Sequence, residues 1–172
     1  MLVSLAEKLR DSGSWAGETH IQKAMYLLER VLLVPVDYEF ILYKHGPFSF
    51  DLRNEIGSLR ADGFFEWDVK SDRYGPSLKP GPLSAALKRQ FPNPPIQFKS
   101  EIDFVASRLG DKNVAALERL STAVYVTLDE HWPAEQRAKR INELKRHVSL
   151  PEAETAVSEA DLIISEASAL RA

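Results

Sequence analysis

Apolar positions recur at intervals of three and four through most of the chain, and one stretch near its first third replaces that rhythm with alternation. Leu2, Leu5, Ala6 and Leu9 share a helical face that stops at the polar segment Asp11-Ser12-Gly13-Ser14. Thr19-His20-Ile21-Gln22 has the Thr-x-x-Gln spacing of a capping box and opens a second helix through Ala24, Met25, Leu28, Val31 and Leu32, apolar enough to be largely buried. Tyr38, Phe40 and Leu42 then alternate with Glu39, Ile41 and Tyr43, which predicts a strand with one buried face, ended by Gly46-Pro47. Ser49 is placed to cap a helix carrying Leu52, Ile56 and Leu59, and Gly63 stands where a left-handed C-terminal residue is needed. Phe64 to Val69 reads as a strand, Lys70-Ser71-Asp72-Arg73 as a turn, and Tyr74 to Leu78 as a short extended piece, together a small hairpin or wing.

Pro80-Gly81-Pro82 starts a helix bearing Leu83, Ala86 and Leu87, and Pro92-Asn93-Pro94-Pro95 is the densest cluster of breakers, where the main internal boundary is expected. Beyond it the pattern is helical throughout: Ser100 to Leu109 with Gly110 as stop, Asn113 to about His131, Pro133 to His147, and Pro151 to Leu170. The last helix carries an apolar stripe including Ala156, Ala160, Ile163 and Ala167, which needs a covering surface. The predicted fold class is α+β, mostly α: a helical domain with a small winged-helix-like β-sheet near residues 38–78.

A length of 172 residues with 44% hydrophobic positions suits one compact domain or two small modules sharing a core. The net charge of -3 argues against a protein that coats nucleic acid non-specifically, since such binding needs an excess of Lys and Arg to release counterions. The absence of cysteine excludes disulfides, a thiolate nucleophile and Cys-ligated zinc, and favours a cytoplasmic location. No membrane contact is expected, because no run approaches the ~18 apolar residues of a span and no basic signal-peptide start is present. His20, His45, His131 and His147 lack zinc-binding spacing, and no glycine-rich phosphate loop occurs, so neither metal nor cofactor is expected. Asp51 with Asp68-Val69-Lys70 mimics the carboxylate-and-lysine order of metal-dependent nucleases, a pattern loose enough to arise by chance. No enzyme is expected.

The run Ile21-Gln22-Lys23 with Tyr26-Leu27-Leu28, then Tyr38-Glu39-Phe40, Tyr43-Lys44-His45-Gly46-Pro47-Phe48-Ser49, Leu52, Leu59 and Gly63-Phe64, resembles the Panacea domain. It is similar in particular to the small, phage-associated bacterial proteins related to SocA-like antitoxins. The resemblance covers about residues 18–90, and more loosely Leu117-Glu118 through Tyr125 and Leu144-Lys145. It implies a helical domain with a small sheet that neutralises a toxin by binding it, without catalysis. The chain departs from the pattern at His45, where an aromatic residue commonly precedes the Gly-Pro. On this resemblance, residues 1–90 form a Panacea-like, winged-helix-like module, and residues 98–172 a C-terminal helical layer packed on it as one compact unit.

The expected function is therefore that of a non-catalytic, antitoxin-like or phage-defence accessory protein that binds and occludes or regulates a protein partner, a toxin or defence effector. Its contacts should be exposed aromatics and arginine, the types enriched at interface centres, and the candidate aromatics are Trp15, Phe48, Phe50, Trp67, Tyr74 and Trp132. Phe50 leads them, because a helix capped by Ser49 turns it away from the Leu52-Ile56-Leu59 stripe. The expected partner surface comprises His45, Gly46, Pro47, Phe48, Phe50, Arg53, Trp67 and Tyr74. The alternative is a winged-helix-like DNA-binding transcriptional regulator using Lys44, Arg53, Arg60, Lys70 and Arg73. Against it, the segment between the second and third helices is longer than a helix-turn-helix allows, and Asp51, Glu55 and Asp62 offset the third helix's arginines. A basic stripe of Arg137, Lys139, Arg140, Lys145, Arg146 and His147 precedes an acidic last helix, and reads mainly as a solvated, mutually paired face.

Overall fold

The computed structural model describes residues 1–69 and 75–171. The chain is α+β and mostly α. In order it forms α1 (Leu2–Asp11), α2 (Glu18–Arg30), β1 (Ile41–Tyr43), β2 (Gly46–Phe48), α3 (Phe50–Ala61), β3 (Phe65–Asp68) and β4 (Ser77–Pro80). The remainder is α4 (Ser84–Gln90), α5 (Asn93–Gln97), α6 (Lys99–Leu109), α7 (Val114–Leu128), α8 (Arg137–Leu144) and α9 (Leu150–Arg171). β1 pairs antiparallel with β2, and β3 with β4, as two separate two-stranded sheets.

Helices α2 and α7 form the centre. Every residue of α2 from His20 to Leu28 is buried, because α1 and α6 cover one side, α7 another, and β2 a third. Helices α8 and α9 close over the far side of α7, and the alanine stripe of α9, Ala153, Ala156, Ala160 and Ala167, lets the two long helices approach closely. One hydrophobic cluster runs from Leu5 and Leu9 of α1 to Ile163 of α9. Across this core Tyr26 donates its hydroxyl to Asp129 at 2.5 Å, and burial together with that carboxylate raises the phenol's pKa far above its ordinary value.

Several boundaries are set by the expected devices. The Ser49 Oγ accepts the Leu52 amide at 3.2 Å and caps α3. At its other end Gly63 has φ +76°, and the Phe64 amide reaches the Leu59 carbonyl at 2.8 Å, closing a Schellman turn that only a residue tolerant of positive φ completes without strain. Asn113 caps α7 through the Ala116 amide at 2.9 Å.

Other expectations are corrected. The capping box at Thr19 is not formed: α2 begins at Glu18 behind Gly17, with no side-chain cap, and Gln22 is drawn to a partner outside the helix. The strand expected from Tyr38 begins only at Ile41, and Gly46-Pro47 does not end it but forms β2, turning the segment into a hairpin. The proline cluster at residues 92–95 holds the five-residue α5, since proline costs no hydrogen bond in a helix's first turn. The wing is present as β3–β4, with Phe65 opposite Pro80 and Asp68 opposite Ser77. The turn expected at Lys70 to Arg73 lies outside the described residues, as does Tyr74. Among the described residues, no helix is long and apolar enough to cross a membrane.

Candidate functional site

The β1–β2 hairpin is held from beneath by polar side chains that reach it from three helices' worth of sequence. The Gln22 amide pairs with the Ser49 backbone in both directions, donating to its carbonyl and accepting from its N–H, each at 2.9 Å. Lys23, one residue on, donates from Nζ to the Pro47 carbonyl at 2.6 Å. From the other side, Lys145 donates to the consecutive carbonyls of Tyr43 and Lys44 at 2.8 and 2.7 Å. Glu118 of α7 lies beneath the turn, 3.3 Å from the Lys145 ammonium, with the His45 and His147 rings 3.3 and 3.4 Å from its oxygens. Gln22, Lys23, Glu118 and Lys145 are all buried. Backbone carbonyls that the hairpin points inward are thus satisfied by charged donors, as buried polar groups require.

This arrangement places two ammonium groups against one buried carboxylate. Burial, and secondarily the Lys145 charge, push the Lys23 ammonium down to about 7, while Glu118 draws it back up. An unfolded lysine titrates near ~10.4, so between ~7 and ~10 the unfolded chain holds more protons and native stability rises with pH, by at most ~1.4 kcal/mol per pH unit. Chemical denaturation of wild type and Lys23→Met should therefore show their difference in unfolding free energy moving in favour of wild type, by about 1–2 kcal/mol between ~pH 7 and ~pH 9. A difference flat with pH would mean that Lys23 is not titrating in that window.

Above this floor the hairpin presents an aromatic surface. Tyr43, Phe48 and Phe50 form a closed trio, with ring centroids 5.6 Å apart for Tyr43 and Phe48, 5.5 Å for Tyr43 and Phe50, and 5.1 Å for Phe48 and Phe50. Tyr43 is 50% exposed, Phe50 46% and neighbouring Ile41 42%, while Phe48 is half-buried, so the trio is packed within itself and opens to solvent through Tyr43 and Phe50. Two cavities open beside the hairpin. One of about 200 Å³ lies between α2, the hairpin and α3, lined by Lys23, Lys44, Phe48 and Arg53; the other, about 580 Å³, lies on the opposite side of the turn, lined by Lys44, Glu118, Lys145, Arg146 and His147. A third cavity of about 590 Å³ opens beside Trp15, Trp67 and His20 at the starts of α2 and α7.

The sequence-derived surface is therefore only partly one place. His45, Phe48, Phe50 and Arg53 lie together around the hairpin. Gly46 and Pro47 are within it but buried, facing α7 and α2, so they position the turn rather than present themselves. Trp67 belongs to the other hairpin, half-buried, with the Arg60 guanidinium stacked 4.6 Å from its ring centroid. Ten residues of helix separate Arg60 from Phe50, about 15 Å. Trp15 donates its indole N–H to the Gly75 carbonyl at 2.7 Å, and Trp132 packs half-buried beneath Arg140. Of the proposed phosphate contacts, Lys44 is exposed, Arg53 is paired with Glu18 at 3.5 Å and Arg60 is stacked on Trp67; Lys70 and Arg73 lie outside the described residues.

The basic stripe after residue 133 is divided among three tasks. Arg137, buried, clasps Asp161 of α9 through both terminal nitrogens at 2.6 and 3.0 Å; Arg140 clasps Glu130 at 2.7 Å; and Lys145 leaves the stripe for the hairpin. Asp68 accepts from Arg10 at 3.0 Å, which occupies the carboxylate of the nuclease-like pattern, and no group of three metal-ligating side chains occurs among the described residues. Sequence reasoning gave Gln22 a capping role that it does not have, and gave Lys23 and Glu118 no structural role. The signal was present as polar residues inside the apolar runs of α2 and α7. No protein-family model matches the chain, and no curated protein matches it.

Proposed function

We propose that this protein is a non-catalytic interaction module of the Panacea type, an antitoxin-like or phage-defence accessory protein that binds and occludes a protein partner. The observation that carries the reading is the Tyr43–Phe48–Phe50 trio, exposed at Tyr43 and Phe50, at a hairpin whose backbone is tied down from beneath. Aromatic side chains on a rigid base lose little entropy on docking and are the residue type that dominates interface energetics. Phe50 has the most favourable position, at the first turn of α3 and off its buried stripe.

Affinity capture of the tagged protein from its host, after nuclease treatment, should retain a stoichiometric protein partner. Phe50→Ala should weaken that complex by about 2 kcal/mol, roughly thirtyfold, with little change in melting temperature. Phe91→Ala, at another exposed phenylalanine, should leave it intact. Equal retention by both variants would remove the trio from the interface, and loss of every partner on nuclease treatment would replace a protein partner with nucleic acid.

A further inference from the structure

The turn of the β1–β2 hairpin, Lys44-His45, lines both the cavity beside Tyr43 and Phe48 and the cavity beside Glu118 and Lys145. Cations outnumber carboxylates on each side: Lys23, Lys44 and Arg53 face Glu18 alone in one, and Lys44, Lys145 and Arg146 face Glu118 and Glu143 in the other. Each of these acidic groups has a cationic neighbour, Glu18 in Arg53, Glu118 in Lys145 with the two imidazoles beside it, and Glu143 in Arg140 at 3.8 Å. Lys44 and Arg146, both exposed, form no ion pair with any described residue. Lys145, buried beneath them, is offset by Glu118, so the outward-facing positive charge of the turn is carried by Lys44 and Arg146.

We propose that the partner's contacting element is an acidic peptide segment that straddles the Lys44-His45 turn, its carboxylates entering the cavities on either side and an apolar residue resting on the Tyr43–Phe48–Phe50 trio. This rests on the protein-interaction reading above and gives it a partner chemistry. Lys44 and Arg146 make the first contacts, and the trio supplies the desolvated anchor between them. The net charge of the chain is -3, so the attraction of an acidic segment to this turn comes from its local arrangement of Lys44 and Arg146 and not from the charge of the whole protein.

The test is fluorescence anisotropy with a labelled oligoglutamate peptide carrying one central tryptophan, against an oligolysine peptide of the same length and a short DNA duplex. The acidic peptide should bind, and raising salt from ~0.05 to ~0.3 M should weaken it severalfold. Lys44→Glu and Arg146→Glu should each weaken it about tenfold and Phe50→Ala comparably, while Arg89→Glu on α4 should not. The proposal is overturned if the oligolysine peptide binds as well, if Arg89→Glu is as damaging as Lys44→Glu, or if the duplex binds more tightly through the same residues. Should the acidic peptide fail while Phe50→Ala still strips the partner captured from the host, the interaction reading stands and the acidic chemistry falls.

Discussion

Replacing Glu118 by alanine is expected to destabilise the protein by about 3–5 kcal/mol, a loss of about 10 °C in melting temperature, the largest effect of any single substitution beneath the hairpin. The cost is not the energy of the ion pair as such, because two desolvated charges gain little from each other net of the water they give up. It comes from what is left behind: Lys145 is buried and its ammonium is 3.3 Å from the Glu118 carboxylate. Removing that carboxylate strands the Lys145 ammonium, while Lys23, already pushed down to about 7, sheds its proton. Glu118→Gln keeps the shape and an acceptor oxygen, and should lose about half as much. The double variant Glu118→Ala with Lys145→Met removes both charges and should recover part of the loss, although the Tyr43 and Lys44 carbonyls then lack their donor. Thermal melts of the four proteins settle the matter, and a Glu118→Ala variant melting within ~2 °C of wild type would show that another group compensates Lys145.

Gly46→Ala is expected to cost about 3 kcal/mol, from two separable sources. The residue has φ +86°, which an L side chain adopts at a cost of ~1–2 kcal/mol, and its Cβ would lie 2.7 Å from the Ser121 Oγ and 3.3 Å from the Thr122 Oγ1. Both hydroxyls belong to the buried face of α7, so neither moves aside freely. Adding Ser121→Ala relieves the overlap but not the backbone strain, and should restore roughly half of the lost stability. Gly57, inside α3 with open space around its Cα, is the contrasting position: Gly57→Ala should stabilise by about 0.5–1 kcal/mol. If urea denaturation gave Gly46→Ala the same sign as Gly57→Ala, the close seat of the hairpin on α7 would be refuted.

What was legible in the sequence is what depends on neighbours a few residues apart. Ser49 before a Leu52-Ile56-Leu59 stripe and Gly63 after it fix α3 by local rules, and the structure places the cap and the Schellman turn there. The same local rule misassigned Gln22, because a capping box is a bond of short range and the Ser49 backbone, 27 positions away, offered Gln22 both a donor and an acceptor. Gly46-Pro47 was read as the end of a strand for the same reason. Its N–H deficit and positive φ are punctuation marks in isolation, yet here they form the inner strand of a hairpin seated on α7 and α2. Periodicity recovered the exposed position of Phe50, since helical phase alone determines it. It could not reveal that Tyr43 and Phe48 meet Phe50, which depends on strand register, nor that Lys145 turns inward while Arg146 and His147 stay outside.

The bonds from Lys145 to Tyr43 and Lys44 span more than a hundred positions of chain. During synthesis this imposes an order of events. A nascent chain that has left the ribosome only as far as α6 already contains the whole aromatic hairpin, but lacks the α7 hydroxyls on which Gly46 rests, the Glu118 carboxylate and the Lys145 donor. Its tip is then unanchored on one side. The hairpin reaches its final seat only when residue 145 has emerged and α7 has docked, so its tip is among the last parts of the molecule to be fixed.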